Sequence, residues 1–311
     1  MTKVLIIDKL HESIFSIFDS ANIEYTYTPD ITPAEVPDKI KDYNGLVLRS
    51  KMKVGLDLLD LAPKLRFIAR AGAGVDEIDE EYLKRRQITL LNAPEGNMDA
   101  VGEHTTAMLL CLMNYLHVGN NEVRQKLWQR EENRGHELST RTVGIIGYGH
   151  MGQAFAKRLI GFGCKVLAYD NGKENYGDEY AQEATLEQIQ NEADVLSFHI
   201  PLNKENKHLV SQDYLGGFKK PIYLINLARG EVIPFSTIEW GLDNGKILAA
   251  GLDVLENEKL NTLTPEQDRI FKKLSQDSRV LFTPHVGGWS FESYEKISTV
   301  LGRKIVNLLN K

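Results

Sequence analysis

At 311 residues the chain exceeds the usual size of one domain, so two are expected. Its 42% hydrophobic and 26% charged residues, without a biased tract, are those of a compact globular protein rather than a disordered or fibrous one. A formal net charge of −6 argues against a general nucleic-acid surface, and the longest apolar stretch, 107–113, is too short to span a bilayer, so neither nucleic acid nor membrane is an expected partner.

A strand is predicted at 3–8, which leaves no room ahead of it for a signal peptide. Over the first hundred residues, short apolar segments at 3–8, 23–27, 45–49, 65–70 and 88–91 alternate with amphipathic ones at 10–20, 33–42, 54–62 and 79–86. That alternation predicts a parallel sheet covered by helices on both faces. A long helical pattern follows from 98 to 128, through Ala100, Val101, His104, Ala107, Met108, Cys111, Leu112 and Tyr115, with a break expected near Gly119. It reads as a buried helix that connects domains or pairs two copies. Cys111, and Cys164 ahead of a later strand, read as reduced packing residues of a cytoplasmic protein.

From Thr142 the alternation resumes, with strands predicted at 143–147, 165–170, 195–199, 222–227, 248–253 and 280–284. The first of them runs into Gly147-Tyr148-Gly149-His150-Met151-Gly152, which opens a helical pattern over 151–162. Strand, glycine cluster and helix in that order are the context of a dinucleotide fingerprint. Gly147 permits the tight turn, Gly149 lets the backbone approach a pyrophosphate, and Gly152 lets the helix pack close to the strand. The helix N-terminus offers its free N–H groups to the phosphates. The next strand ends in Asp170, 18 residues past Gly152, where a carboxylate accepts ribose hydroxyls and repels a 2′-phosphate. Lys173 is the only cation nearby, so the expected cofactor is NAD rather than NADP.

A last amphipathic pattern, 292–309, has no strand left to pair with and is expected to return to the first domain. The expected fold class is α/β with two doubly wound parallel-sheet domains. A Rossmann NAD-binding domain at 98–289 is inserted into a flavodoxin-like substrate domain at 1–97 plus 290–311, with ligand held in the cleft between them.

Three side chains beyond strand ends suit the oxidation of an alcohol, which needs a general base and a cation for the developing carbonyl. Arg229 follows the strand at 222–227, Glu258 the strand at 248–253 and His285 the strand at 280–284. A His paired with a Glu exchanges a proton near neutral pH, and an Arg holds a 2-oxo acid through two parallel hydrogen bonds. Singly, each is equally a surface Arg, a solvated Glu in an acidic stretch or a loop His. His199 follows an earlier strand and is left outside the triad.

With these residues the chain resembles the D-isomer-specific 2-hydroxyacid dehydrogenases over essentially its full length. The carrying motifs are 147–152, Asn226-Leu227-Ala228-Arg229-Gly230, 251–258 and Thr283-Pro284-His285-Val286-Gly287-Gly288. The resemblance implies that Arg229 binds the substrate carboxylate and carbonyl, that Glu258 and His285 form the acid/base pair, and that hydride passes to a nicotinamide. It places Asp253 at the nicotinamide end of NAD. Further cofactor contacts are implied for Gly147, Gly149, His150, Met151, Gly152, Asp170, Ile200, Pro201, Leu227, Ala228 and Gly287, beside Arg229 and His285. No metal is implied.

A narrower likeness, carried by 47–54, 70–76 and 126–130, is to the members that oxidise 3-phospho-D-glycerate to 3-phosphohydroxypyruvate in serine biosynthesis. It implies that Arg49, Arg70 and Arg130 surround a substrate phosphate and that Ser50 also contacts the substrate, while the turn of Gly72, Ala73 and Gly74 presents backbone N–H groups to a carboxylate. The partner is then a small phosphorylated 2-hydroxy acid, and the assembly a homodimer. The alternatives are a glyoxylate or hydroxypyruvate reductase and, from another class, an NADH-sensing binding protein similar to the C-terminal-binding corepressors. Three departures stand out. Lys259 replaces a usual Pro and opens a polar stretch to Gln267; Trp289 replaces a small residue and narrows the space beside His285; and the chain stops at Lys311, without the C-terminal regulatory domain some members carry.

Overall fold

The computed structural model describes residues 2–310 and separates into two compact units. One comprises the chain up to Met98 together with Trp289 onward; the other is Asp99–Gly288.

In the first unit β1 (Lys3–Ile6), α1 (Ser13–Ser20), β2 (Glu24–Tyr27), α2 (Val36–Ile40), β3 (Gly45–Leu48), α3 (Leu56–Asp60), β4 (Phe67–Arg70), α4 (Glu80–Arg86) and β5 (Thr89–Asn92) alternate without exception. The sheet is parallel throughout, in the order β2-β1-β3-β4-β5, the flavodoxin-like doubly wound arrangement. β3 is buried along its whole length, as a central strand covered on both faces must be. Side chains alternate between two cores: Leu5, Leu46, Leu48 and Ile68 face one, Val4, Ile6, Val47, Phe67 and Ala69 the other. The second core is completed by Ile297, Leu301 and Ile305 of the terminal helix Phe291–Leu309, which packs on α1 through Ile14 and Phe18. The terminal helix therefore belongs to this unit.

α5 (Pro94–Met113) leads out of the first unit, and α6 (Leu116–Arg124) follows it. The single pattern expected over 98–128 is thus two helices. They break at Tyr115, which adopts φ 52°, and not at Gly119, which lies inside α6. The cause is local: the Asn114 side chain donates to the Leu110 carbonyl, and a left-handed residue ends the helix. Residues 125–128 are not helical.

The second unit then runs through β6 (Thr142–Ile146), α7 (His150–Leu159), β7 (Lys165–Tyr169), β8 (Gln182–Glu183), α8 (Leu186–Glu192), β9 (Val195–Phe198), α9 (Gln212–Gly216), β10 (Ile222–Asn226), α10 (Phe235–Asp243), β11 (Ile247–Leu252), α11 (Pro265–Gln276) and β12 (Val280–Phe282); the terminal helix is α12. Its parallel sheet has the order β12-β11-β10-β9-β6-β7-β8. β8, an exposed two-residue edge strand, makes seven strands where six were expected, because two residues carry no periodicity to read. The order reverses between β6 and β9, and the crevice beyond the carboxyl ends at such a switch point is where ligands bind. Every candidate residue of this unit except Arg130 lies at that end.

Candidate active site

The turn after β6 is tight because Gly147 takes φ 92° and a side chain there would meet the His199 carbonyl oxygen at 2.6 Å. Gly152 sits so close to the turn that its Cβ would lie 2.1 Å from the Gly147 oxygen. Gly149 precedes α7 with open space beside it, and the N–H groups of Met151 and Gly152 in the first turn have no carbonyl four residues back within the helix. Asp170 follows β7, and its two carboxylate oxygens accept the amides of Tyr148 (2.8 Å) and Gly172 (3.0 Å). Lys173 donates to the Tyr148 carbonyl (2.6 Å), and the Tyr148 hydroxyl, fully buried, donates to Asp178. The carboxylate is thereby aimed by the fingerprint turn itself and retains a lone pair on each oxygen for ribose hydroxyls. An open helix N-terminus beside a fixed carboxylate fits NAD. Ile200 closes on Gly147 from the loop after β9 that also holds Pro201. His199 packs its ring at a tilt against Phe155 and bonds Ser197; burial pushes its pKa down to about 3, so it stays neutral, as a packing residue does.

Arg229 follows β10 in a turn that Asn226 sets: the buried amide accepts from Ala228 N and donates to the Arg229 carbonyl. Leu227 and Ala228 are buried in that turn. Glu258 lies in the loop after β11, where Asn257 accepts from Lys259 N. A Pro at 259 could not make that bond. The polar stretch that looked unusual turns out to be a start signal, since Thr264 and Gln267 form a capping box for α11.

His285 follows β12 at φ 54°, uncommon for a residue with a side chain and held by its amide donating to the Asp253 carbonyl. Its Nδ1 lies 3.0 Å from one Glu258 oxygen and 2.9 Å from the other. The hydrogen bond with Glu258 raises the His285 pKa above its ordinary value; burial and the charge of Arg229 work against that, and Asp253 reinforces it. Arg229, Glu258 and His285, scattered over 57 positions of sequence (229 to 285 inclusive), therefore form one electrostatic group.

Behind the group, Asp253 is 2% exposed and accepts from the Thr283 hydroxyl (2.5 Å), Val286 N (2.9 Å) and Gly287 N (2.8 Å). Gly287 is packed so closely against Leu227 and Asp253 that an added Cβ would lie 2.7 and 2.9 Å from them. His104 of α5 reaches the same point, with Nε2 3.1 Å from the Thr283 hydroxyl and 3.8 Å from Asp253. Sequence reasoning assigned neither His104 nor Thr283 a part. A separation of 179 residues leaves no spacing to detect.

In the first unit, Leu48 pairs with Arg70, so Arg49 and Arg70 lie together at the carboxyl end of the adjacent strands β3 and β4. One oxygen of Asp8 accepts the amides of Arg49, Ser50 and Lys51 in succession. The Arg49 guanidinium lies 3.7 Å from the ring centroid of Trp289. Arg70 packs beneath Gly72, the Ala73 carbonyl accepts from Asn92, and the Ala73 and Gly74 amides have no partner among the described residues. Arg130 is exposed in the second unit, on a groove of about 200 Å³ with Gly119, Val123, Trp128 and Asn133 that shares no residue with the Arg229 group.

Residues 106–287 match the NAD-binding domain of the D-isomer-specific 2-hydroxyacid dehydrogenases. The chain is 32% identical to the D-3-phosphoglycerate dehydrogenase of Methanocaldococcus jannaschii across 99% of its own length and 58% of that enzyme's. It is also 32% identical to the hydroxypyruvate reductase of Thermotoga maritima, across 86% of this chain and 85% of that one. The D-lactate dehydrogenase of Aquifex aeolicus, solved with NAD and lactic acid, superposes with a TM-score of 0.83 at 26% identity, covering 99% of this chain and 94% of that one. The chain spans a little over half the length of the phosphoglycerate dehydrogenases it matches.

Proposed function

Because the chain belongs to the D-isomer-specific 2-hydroxyacid dehydrogenases, we propose that it oxidises 3-phospho-D-glycerate to 3-phosphohydroxypyruvate with NAD. The observation that carries the reaction type is the Glu258–His285 contact beside Arg229, beyond the strand ends of the NAD-binding sheet. Glu258 accepts from Nδ1 of His285, which leaves Nε2 to take the substrate hydroxyl proton as general base. NAD, when bound, accepts the hydride from the carbon that bears that hydroxyl. Arg229 holds the carboxylate and the forming carbonyl oxygen with charge-assisted bonds. In this reading Gly147, Gly149, His150, Met151 and Gly152 cradle the pyrophosphate, Asp170 the ribose, and Ile200, Pro201, Leu227, Ala228, Asp253 and Gly287 the remainder of the cofactor. The free amides of Ala73 and Gly74 take the carboxylate, Ser50 contacts the substrate, and Arg49, Arg70 and Arg130 serve the phosphate. The domains divide as 1–97 plus 290–311 for substrate and 98–289 for NAD.

We assign the enzyme to serine biosynthesis in the cytoplasm, as a homodimer. No helix among the described residues is long and apolar enough to cross a membrane. Leu116, Val123, Leu127 and Trp128, all exposed, give α6 and the segment after it the apolar surface a second copy would cover.

Reduction of glyoxylate or hydroxypyruvate is the second reading, favoured by the equal identity to a hydroxypyruvate reductase. Initial rates with 3-phosphoglycerate and NAD, set against glyoxylate and hydroxypyruvate with NADH, separate the two. We expect kcat/KM to favour the phosphorylated acid, and Arg130→Ala to reduce that preference by ~10-fold or more, as loss of one charge-assisted bond does. A preference for the unphosphorylated acids overturns the substrate assignment, and equal losses on both make Arg130 a structural residue.

A further inference from the structure

Arg49 is partly buried and its guanidinium has neither a hydrogen bond nor an ion pair among the described residues. Asp8, whose charge acts on it, does not bond it: the Oδ2 of Asp8 is taken up by three consecutive backbone amides of the loop that carries Arg49. Burial accordingly depresses the Arg49 pKa, with Asp8 and Tyr294 only partly offsetting the cost. What the guanidinium does have is a ring over its face. Trp289 lies 3.7 Å away, and its other contacts hold it there: it meets Tyr294 in a T-shaped pair (centroids 5.4 Å apart, planes at 72°), and the Tyr294 ring in turn meets His11 (5.8 Å, 87°). Ser290 caps α12 immediately afterwards through a capping box with Ser293, so the residue that carries the indole is anchored at a helix start.

Stacking covers one face of a guanidinium and consumes none of its five in-plane donors. Trp289 therefore fixes the plane of the cation while its edge remains uncommitted, and an uncommitted fork matches two oxygens of one anionic group. We propose that Trp289 is a specificity-determining residue that presents Arg49 edge-on to the anionic group at the end of the substrate remote from the reacting carbon. The proposal rests on reading the chain as a 2-hydroxyacid dehydrogenase and adds to it the residue that selects an anionic tail. A serine or threonine at 289 would leave the guanidinium free to rotate and to be hydrated. That position, where this chain departs from the small residue, is thus the one that orders the fork.

Two measurements test it on the full chain. The first is the ratio of kcat/KM for 3-phosphoglycerate over D-glycerate, which share a skeleton and differ in the tail. The second is calorimetric binding of inorganic phosphate, which needs no turnover. Trp289→Phe keeps a π face and should hold both within about threefold of wild type. Trp289→Leu should lower the ratio and weaken phosphate by about tenfold, chiefly through KM, as loss of a partly desolvated cation–π contact predicts. Arg49→Lys, which keeps charge but loses the fork, should reproduce the Leu result and serves if Trp289→Leu does not fold. Equal losses on both substrates, or unaltered phosphate binding in Trp289→Leu, overturn the fork and leave the enzymatic reading standing. Phosphate binding that falls in Trp289→Leu in a protein that turns over no 2-hydroxy acid supports the fork and overturns the enzymatic reading.

Discussion

At the scale of residues, the proposed acid/base chemistry rests on one hydrogen bond between two half-exposed side chains, His285 and Glu258. His285→Ala removes the proton acceptor, so turnover should fall by ~10²–10⁴-fold while NADH still binds by fluorescence titration. An unchanged rate would exclude His285 as the base. Glu258→Gln tests the partner. The His285 pKa is raised first by Glu258, so the neutral base forms only at higher pH. Without the carboxylate that pKa drops, and the rising limb of the kcat/KM profile for alcohol oxidation should move to lower pH. A limb that stays in place would show that another group titrates. In the proposed reading Asp170 sets the cofactor preference in the same local way, because a 2′-phosphate would meet its fixed carboxylate. Asp170→Ala should therefore narrow the preference for NAD over NADP, measured as a ratio of kcat/KM; equal use of both by the wild type would refute the argument.

Elements matter because His285 sits at a left-handed backbone position that its own side chain does not favour. The turn after β12 is held to β11 by Asp253, whose buried carboxylate takes one hydroxyl and two amides, and α5 adds His104 to the same point. A buried acceptor of this kind is costly to leave half satisfied. Thr283→Val removes the hydroxyl donor from Asp253 and the partner of His104 without changing shape. It should lower stability by about 1–3 kcal/mol in urea unfolding and reduce turnover through misplacement of His285. Full activity at full stability would mean that the turn is fixed by its backbone alone. The break between α5 and α6 belongs to this scale too, since it exposes Leu116 and Val123 on a short helix instead of continuing a buried long one.

For the whole molecule, each sheet has helices on both faces and its own pair of cores, and α12 supplies Ile297, Leu301 and Ile305 to the unit that holds the N-terminus. Trp128 remains 84% exposed, among Leu116, Val123 and Leu127. In the proposed homodimer the second copy covers this apolar surface. Sedimentation velocity should give a dimer for the wild type and a monomer for Trp128→Glu. A wild-type monomer would remove the homodimer from the proposal.

Alternating short apolar and amphipathic segments were enough to determine two parallel sheets, because a strand covered on both faces and a helix covered on one leave different periods in the chain. Gly147, Gly149, Gly152 and Asp170 were legible for a similar reason: the turn, the helix start and the carboxylate are set by neighbours within one βαβ unit. Arg229, Glu258 and His285 were individually ambiguous, and only the folded sheet, by aligning the ends of β10, β11 and β12, made them one group. His104 against Thr283, Trp289 over Arg49 and the two-residue strand β8 were decided wholly by tertiary structure. Each depends on residues brought together from distant parts of the chain, or on a segment too short to carry a period, and neither leaves a local pattern in the order of amino acids.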